Sequence, residues 1–269
     1  MNDAVILARA GLLDALDALQ DHLGALVMVG AQAIYLHTGA AGVALAEFTT
    51  DGDLVVDPEL LGTSPRIEAA MVAAGFVPDP RASAIGTWLS PRGVPVDLMV
   101  PDAVAGAGRR GARVPPHSPT SMRKTRGLEA ALVDRSVMAI ASMHPRDSRS
   151  FDVAVAGPAA LLVAKTHKVS DHLGEVSRLD DKDAHDAYRL LRSIDTEVLA
   201  TSILRLLADD VSAAVTLDAL EQFDTLFAVG PAAPGSRMAG RAEELVGNPA
   251  EVSESVAILP QDLLAAVRG

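Results

Sequence analysis

The 269-residue sequence contains no cysteine, which excludes a disulfide framework, a thiolate zinc site and a cysteine nucleophile. Any bound metal must therefore be held by oxygen or imidazole ligands. Aromatic residues are scarce: five phenylalanines, two tyrosines and one tryptophan are too few for rows of base-stacking side chains. Basic residues are fewer than acidic ones, 23 against 35, and the net charge of −12 argues against a generic nucleic-acid coat protein or a membrane-surface binder.

The sequence does contain enough apolar material for a folded core, since 49% of its residues are hydrophobic and 22% are charged. The N-terminus lacks a basic start and an apolar run, so we expect a cytoplasmic protein. The uncharged stretch 23–46 is long enough to imitate a membrane span, but its glycines and polar residues favour a buried strand, a turn and a short helix. We therefore expect no membrane segment and no disulfide-linked partner.

The predicted elements indicate a mixed N-terminal half and a helical C-terminal half. An amphipathic helix is predicted at 3–23, and the spacing is helical from Pro158 onward, with a Gly/Pro/Ala linker at 230–240. Strands are predicted at 26–29, 48–56, 87–89, 94–100, 137–141 and 150–155. We expect an α+β fold in two domains, 1–156 with a mixed sheet and flanking helices, and 157–269 with helices alone.

The most informative local pattern is the pair Asp51 and Asp53 on a predicted strand. Residues two apart in a strand point to the same face, so the two carboxylates project together. They repel one another unless a cation neutralises them, and Mg²⁺ prefers such oxygen ligands. Asp97 interrupts an apolar strand and needs a buried partner, which a shared metal would supply. The alternative reading of a D-x-D pattern, a solvated strand face, stays open.

These features occur in the order apolar strand, Gly30, short helix, D-x-D strand and a later strand with one Asp. On these residues the sequence resembles the nucleotidyltransferase superfamily with the DNA-polymerase-β-like fold. The resemblance implies a nucleotidyltransferase-like sheet in which Gly30 and Ala31 approach the phosphates of a nucleoside triphosphate (NTP). It also implies that Asp51, Asp53 and Asp97 hold two Mg²⁺ ions for in-line nucleotidyl transfer.

The second half of the sequence narrows the resemblance. Lys165 lies in a predicted helix and is followed by K-D-x-x-D-x-x-x-L-L at 182–191. Both features look like the AbiEii/MenT-type nucleotidyltransferase toxins of toxin–antitoxin and phage-defence systems. Thr49, two residues before the acidic pair, matches the Ser or Thr that these proteins carry there. The resemblance implies an NTP substrate, the tRNA 3′ end as the acceptor and a cognate antitoxin as a partner.

Two pairs of charged residues are candidates for the chemistry of this half. Lys165 and Lys168 share a helix face and could both reach a triphosphate, where Lys165 would stabilise developing charge. Asp183 and Asp186 also share a face, and we expect a general base on the incoming hydroxyl, or carboxylates that orient Lys165. A snorkelling lysine and acids favoured by the helix dipole are the structural alternatives. His185 is expected on the surface.

The segment 103–127 carries six basic residues and no acid. Its Gly, Pro and Ser content predicts a loop or a mobile arm. It is the candidate contact for a polyanion such as tRNA, and the alternative is a disordered loop that an acidic protein tolerates.

Three functions remain open at this point. The first is a Mg²⁺-dependent nucleotidyltransferase toxin that modifies tRNA. The second is a small-molecule nucleotidyltransferase of the antibiotic-modifying type, and the third is a non-catalytic nucleotide-binding or antitoxin-like partner protein. Ala31 and Gly52 depart from the superfamily pattern, which has Gly or Ser and an apolar residue at these positions, and they would permit the third.

Overall fold

The computed structural model describes residues 3–39, 50–80, 85–173, 178–244 and 247–269. The chain is α+β, with a mixed open sheet and helices. It divides into two compact units, Met1–Ala33 with Phe48–Ala156 and Ile34–Glu47 with Gly157–Gly269. Residues 34–39, which the sequence places with the N-terminal domain, thus group with the second unit.

The first unit contains an eight-stranded mixed sheet. Its strands are β1 Leu26–Met28, β2 Gly52–Val56, β3 Val77–Pro78, β4 Thr87–Leu89, β5 Pro95–Pro101, β6 Arg123–Thr125, β7 Arg135–Ala141 and β8 Ser150–Ala156. The strand order is β3-β4-β5-β2-β1-β8-β7. Strand β6 lies outside this order and pairs with the second half of β5, after the part of β5 that pairs with β4. The pairs β1–β8, β2–β5 and β5–β6 are parallel, and the others are antiparallel.

Helix α1 (Asp3–Ala18) covers one face of this sheet with its apolar side, where Leu12 and Leu16 are fully buried. Gly52 of β2 faces this helix, because a Cβ there would press against Leu12. Side chains alternate along a strand, so Asp53 points away from α1. The small residue between the two acids therefore has a packing role under α1.

The remaining helices complete both units. They are α2 Gly30–Thr38, α3 Ile67–Ala73, α4 Ala130–Val133, α5 Pro158–Asp171, α6 Arg178–Ser193, α7 Thr196–Leu207, α8 Ala213–Phe223, α9 Pro234–Ala242 and α10 Pro249–Arg268. In the second unit α6 packs on α5 and α9, and α10 packs on α7 and α9. Its described residues from Pro158 onward form helices and the turns between them.

The predicted linker at 230–240 is wrong, because α9 occupies most of it. Pro234 stands in the first helical turn, where its missing N–H costs nothing. Gly235 lies so close to the ring of Phe227 that a Cβ would overlap it, and Met238 is buried. The glycines and alanines here allow close helix packing, which composition alone does not distinguish from flexibility.

Within the described ranges, no helix has the length and apolar character needed to cross a membrane. As far as residue 39, the uncharged stretch that begins at Leu23 forms the end of a 3₁₀ turn, then β1 and α2. The rest of that stretch lies outside the described residues.

Candidate functional site

Gly30 and Asp53 form the tightest contact in the candidate site of the first unit. Gly30 lies two residues after the end of β1 and begins α2 with a φ of +72°, a conformation that side chains resist. Asp53 lies on β2 beside β1, and its carbonyl accepts a 3.0 Å hydrogen bond from Val29 N. A Cβ on Gly30 would overlap Asp53 Oδ2. Both the backbone angle and the available space therefore require glycine at this turn.

Asp97 lies next to Asp53 but is held by partners within the chain. The two residues are paired across the parallel strands β2 and β5, so their carboxylates leave the same face of the sheet. Thr87 Oγ1 donates to Asp97 Oδ1 over 2.6 Å, and Arg123 Nη2 lies 2.7 Å from Asp97 Oδ2. Thr87 and Arg123 thus supply the partner that this acid requires.

Asp51 is positioned through its main chain. Gln32 Nε2 of α2 donates to the Asp51 carbonyl over 2.8 Å, and Gln32 Oε1 accepts from Arg9 Nε over 2.9 Å. Arg9 Nη1 also donates to the Ala141 carbonyl on β7 over 3.2 Å. Gln32 and Arg9 are both buried. This chain of hydrogen bonds ties α1, α2 and β7 to the residue that precedes β2.

Sequence reasoning missed these supporting residues, although some carried a signal. Arg9 lies at helical spacing from the apolar residues of α1, and Gln32 interrupts an apolar run, so both are polar residues on buried faces. Thr87 and Arg123 carried no comparable signal, because their contact with Asp97 depends on strand pairing. Of the predicted phosphate contacts, Ala31 is buried in α2, and Thr49 lies outside the described residues.

The donor set suits a hard divalent cation in part. Asp51 and Asp53 are carboxylates, the ligand type that Mg²⁺ prefers, and Asp53 Oδ2 lies close to the backbone of Gly30. Asp97 already has a partner on each oxygen. Among the residues that the structure describes, no three His, Asp or Glu side chains group closely enough to hold a metal. The three-carboxylate site for two Mg²⁺ ions stays a prediction.

The second unit contains a buried cluster of opposite charges around Lys165. Lys165 Nζ of α5 donates to Asp183 Oδ1 of α6 over 2.5 Å and lies 2.7 Å from Asp186 Oδ2. Burial alone would lower the pKa of Lys165, but the two carboxylates outweigh it and hold that pKa above its usual range. Lys168 Nζ is 3.2 Å from Asp183 Oδ2, with 57% of its side chain exposed. Lys165 is therefore a fixed cation and Lys168 a peripheral one.

Asp186 is completely buried, and its Oδ1 has no hydrogen-bond partner among the described residues. Tyr35 and Arg189 belong to the same unit, with the Arg189 guanidinium 5.0 Å from the centre of the Tyr35 ring. Burial, reinforced by the charge of Asp186, raises the pKa of Tyr35 to about 12. The phenol therefore stays protonated at neutral pH.

The expectation that His185 lies on the surface is wrong. Its side chain is 1% exposed, and Nε2 lies 2.7 Å from Oε1 of Glu243, the residue that follows α9. Helix α9 packs against this side of α6. His185 is therefore buried, although it lies between two acidic residues in the sequence. His185 thus ties α6 to α9.

An open cleft of about 830 Å³ lies elsewhere in the first unit, between α1 and the β7–β8 loop. Two of the three arginines that line it are paired with acids: Arg149 contacts Asp147 and Asp14, and Arg92 contacts Asp14. None of the predicted site residues lines this cleft. We therefore place the candidate chemistry at Asp51, Asp53 and Asp97 in the first unit and at the cluster around Lys165 in the second.

Comparison with protein-family models, curated proteins and solved structures gave no match for this chain.

Replacing Gly30 with Ala tests the contact with Asp53. The positive φ costs about 1–2 kcal/mol for any side chain, and overlap with the carboxylate adds about 1–3 kcal/mol. Gly93→Ala is the matched control, because Gly93 has a φ of +76° but open space around its Cα. Urea unfolding should show a larger loss for Gly30→Ala, and equal losses would contradict the close approach.

Replacing Lys165 with Met tests the buried cluster. The free energy of unfolding should fall by about 3–5 kcal/mol at neutral pH, because two buried carboxylates lose their cation. The pKa of Asp183 is below its ordinary value, since Lys165 and Lys168 outweigh the opposing effect of burial. In the native protein, the stability that ionised Asp183 contributes is therefore lost only in strong acid.

In Lys165→Met the carboxyl pKa values should rise, so the loss should shrink as the pH falls toward about 5. Lys168→Met, three residues away on the same helix, should cost at most about 1 kcal/mol. Urea unfolding at both pH values measures the difference. A pH-independent loss, or equal losses for the two variants, would show that Lys165 does not compensate these acids.

Proposed function

We propose that this chain is a Mg²⁺-dependent nucleotidyltransferase that transfers a nucleotide from an NTP to an acceptor hydroxyl. The proposed acceptor is the tRNA 3′ end, and the proposed setting is the toxin of a toxin–antitoxin or phage-defence system. In the reaction the acceptor oxygen forms a bond to the α-phosphorus while the bond from that phosphorus to pyrophosphate breaks. The hydroxyl proton passes to a carboxylate or to water.

The observation that carries this proposal is the contact between Gly30 and the Asp53 carboxylate. Helix α2 begins at this turn, and the N–H groups and helix dipole at its N-terminus favour an anion. The same contact puts a carboxylate beside that turn. A phosphate next to a carboxylate is repelled unless a divalent cation joins them, so the pair suits a metal–triphosphate better than a free anion.

Asp53 and Asp51 are the residues that would hold Mg²⁺, which when bound would offset the charge of the triphosphate and lower the pKa of the acceptor hydroxyl. Gln32 and Arg9 fix the main chain of Asp51. Thr87 and Arg123 fix the carboxylate of Asp97. Because these partners are already in place, the acids need little reorganisation before a nucleotide binds.

Lys165 is the proposed cation for the charge that develops on the triphosphate. Its ammonium stays protonated because Asp183 and Asp186 face it. Asp186 Oδ1, buried and without a described partner, is the proposed acceptor for a substrate proton. Lys168, being exposed, is a secondary phosphate contact.

One observation favours the non-catalytic alternative. Asp97 is occupied by Thr87 and Arg123, so the third metal ligand of the superfamily pattern is engaged within the chain. A protein with this arrangement could bind a nucleotide without transferring it. Mg²⁺–NTP binding with no transfer to tRNA or to small hydroxyl acceptors would select this alternative. Transfer to a small acceptor alone would select the antibiotic-modifying type.

Asp53→Asn tests the proposed reaction. Total tRNA is incubated with the protein, Mg²⁺ and each labelled NTP in turn, and label on the RNA is measured. The variant should lose at least about a hundredfold in rate, because it loses a metal-binding charge in the reacting site. Asp152→Asn, an exposed acid on β8 of the same sheet, should retain the wild-type rate. Equal rates for Asp53→Asn and wild type would contradict the assignment.

A further inference from the structure

The acid-free basic segment is an ordered part of the first unit, and the prediction of a structureless arm is wrong for its end, which forms β6. We call residues 105–122, between a 3₁₀ turn at Asp102–Val104 and β6, the basic loop. Arg113 N donates to the Ala105 carbonyl over 2.8 Å, and Ala112 N donates to the Met122 carbonyl over 3.0 Å. The two ends of the loop are thereby held together.

Two glycines allow this compact path. A Cβ on Gly111 would overlap the Pro119 carbonyl, and a Cβ on Gly106, which has a φ of +70°, would press on the Arg113 carbonyl. Gly111 also forms an antiparallel bridge with Arg123. The glycines of this segment therefore hold the loop in one shape, and its arginines keep fixed places along the edge of the sheet.

The basic residues of the segment divide into internal and external groups. Arg123 pairs with Asp97, and Lys124 Nζ lies 2.9 Å from Asp102 and donates to the carbonyls of Gly106 and Gly108. Arg109, Arg110 and Arg113 are exposed, and no acid among the described residues pairs with them. Three exposed arginines thus lie within five residues of the chain.

We propose that Arg109, Arg110 and Arg113 form a docking surface for the phosphate backbone of the RNA acceptor. Guanidinium groups bind phosphates through paired N–H donors, and the charge of −12 on the whole chain disfavours RNA elsewhere. The loop leads directly into β6, whose first residue contacts Asp97 beside Asp53. An RNA strand on the loop therefore lies at the edge of the sheet that carries the candidate acids. This inference rests on the proposed RNA acceptor.

The test measures binding of a 5′-fluorescein tRNA transcript to the full chain by anisotropy, in EDTA and without NTP. Affinity is recorded between about 50 and 200 mM KCl for wild type and for the triple variant Arg109→Gln, Arg110→Gln, Arg113→Gln. The slope of log affinity against log KCl concentration should become smaller in magnitude by about two to three. The affinity at about 100 mM KCl should fall about a hundredfold, as expected for three lost phosphate contacts.

The matched control is Arg146→Gln, Arg192→Gln, Arg237→Gln, three exposed arginines outside the basic loop whose replacement gives the same net charge. It should keep the wild-type slope and affinity. Equal effects of the two triple variants, no effect of the loop variant, or no tRNA binding by wild type would each overturn the proposal. Excess ATP should compete weakly, and full displacement by ATP would assign the loop to the triphosphate instead. Because no transfer is measured, failure here is distinguishable from failure of the proposed function.

Discussion

The close approach of the Asp53 carboxylate to the Cα of Gly30 is the constraint on which the first unit depends. It requires a residue without a side chain at a positive φ, directly where β1 becomes α2. It also fixes which face of β2 carries the acid. Gly52 turns the opposite face of β2 toward α1, and the buried side chain of Leu12 fills the space that a larger residue would need. Two glycines therefore set both faces of the central strand.

Three of the candidate acids form ion pairs with basic residues of the same chain. Asp97 faces Arg123, and Asp183 and Asp186 face Lys165. Burying a carboxylate is costly without a partner, so such pairs limit the energetic cost while keeping the charges in place. Arg9, by contrast, is buried with neutral acceptors, a side-chain amide and a main-chain carbonyl. Through Gln32, that buried positive charge is linked to the main chain of Asp51.

The sequence was most informative where one physical rule decides the outcome. Strand alternation and a glycine after an apolar run singled out Asp53 and Gly30 as site residues. Helical spacing indicated that Lys165 and Asp186 lie on helix faces that could contact each other. The partners of Asp97 were not predictable, because Arg123 reaches it only through the pairing of β5 with β6. The helix α9 and the buried position of His185 were missed for one reason. Gly and Ala permit close packing as readily as flexibility, and only the tertiary structure shows which occurs.

The central claim is that Asp53, placed against the Gly30 turn, binds a metal–nucleotide. Electron paramagnetic resonance of Mn²⁺, titrated into the full chain with a non-hydrolysable ATP analogue, measures this directly. We expect wild type and Asp152→Asn to bind Mn²⁺ with the analogue, and Asp53→Asn to lose at least about tenfold in affinity. Unchanged Mn²⁺ binding in Asp53→Asn, or no nucleotide-dependent binding by wild type, would contradict the account.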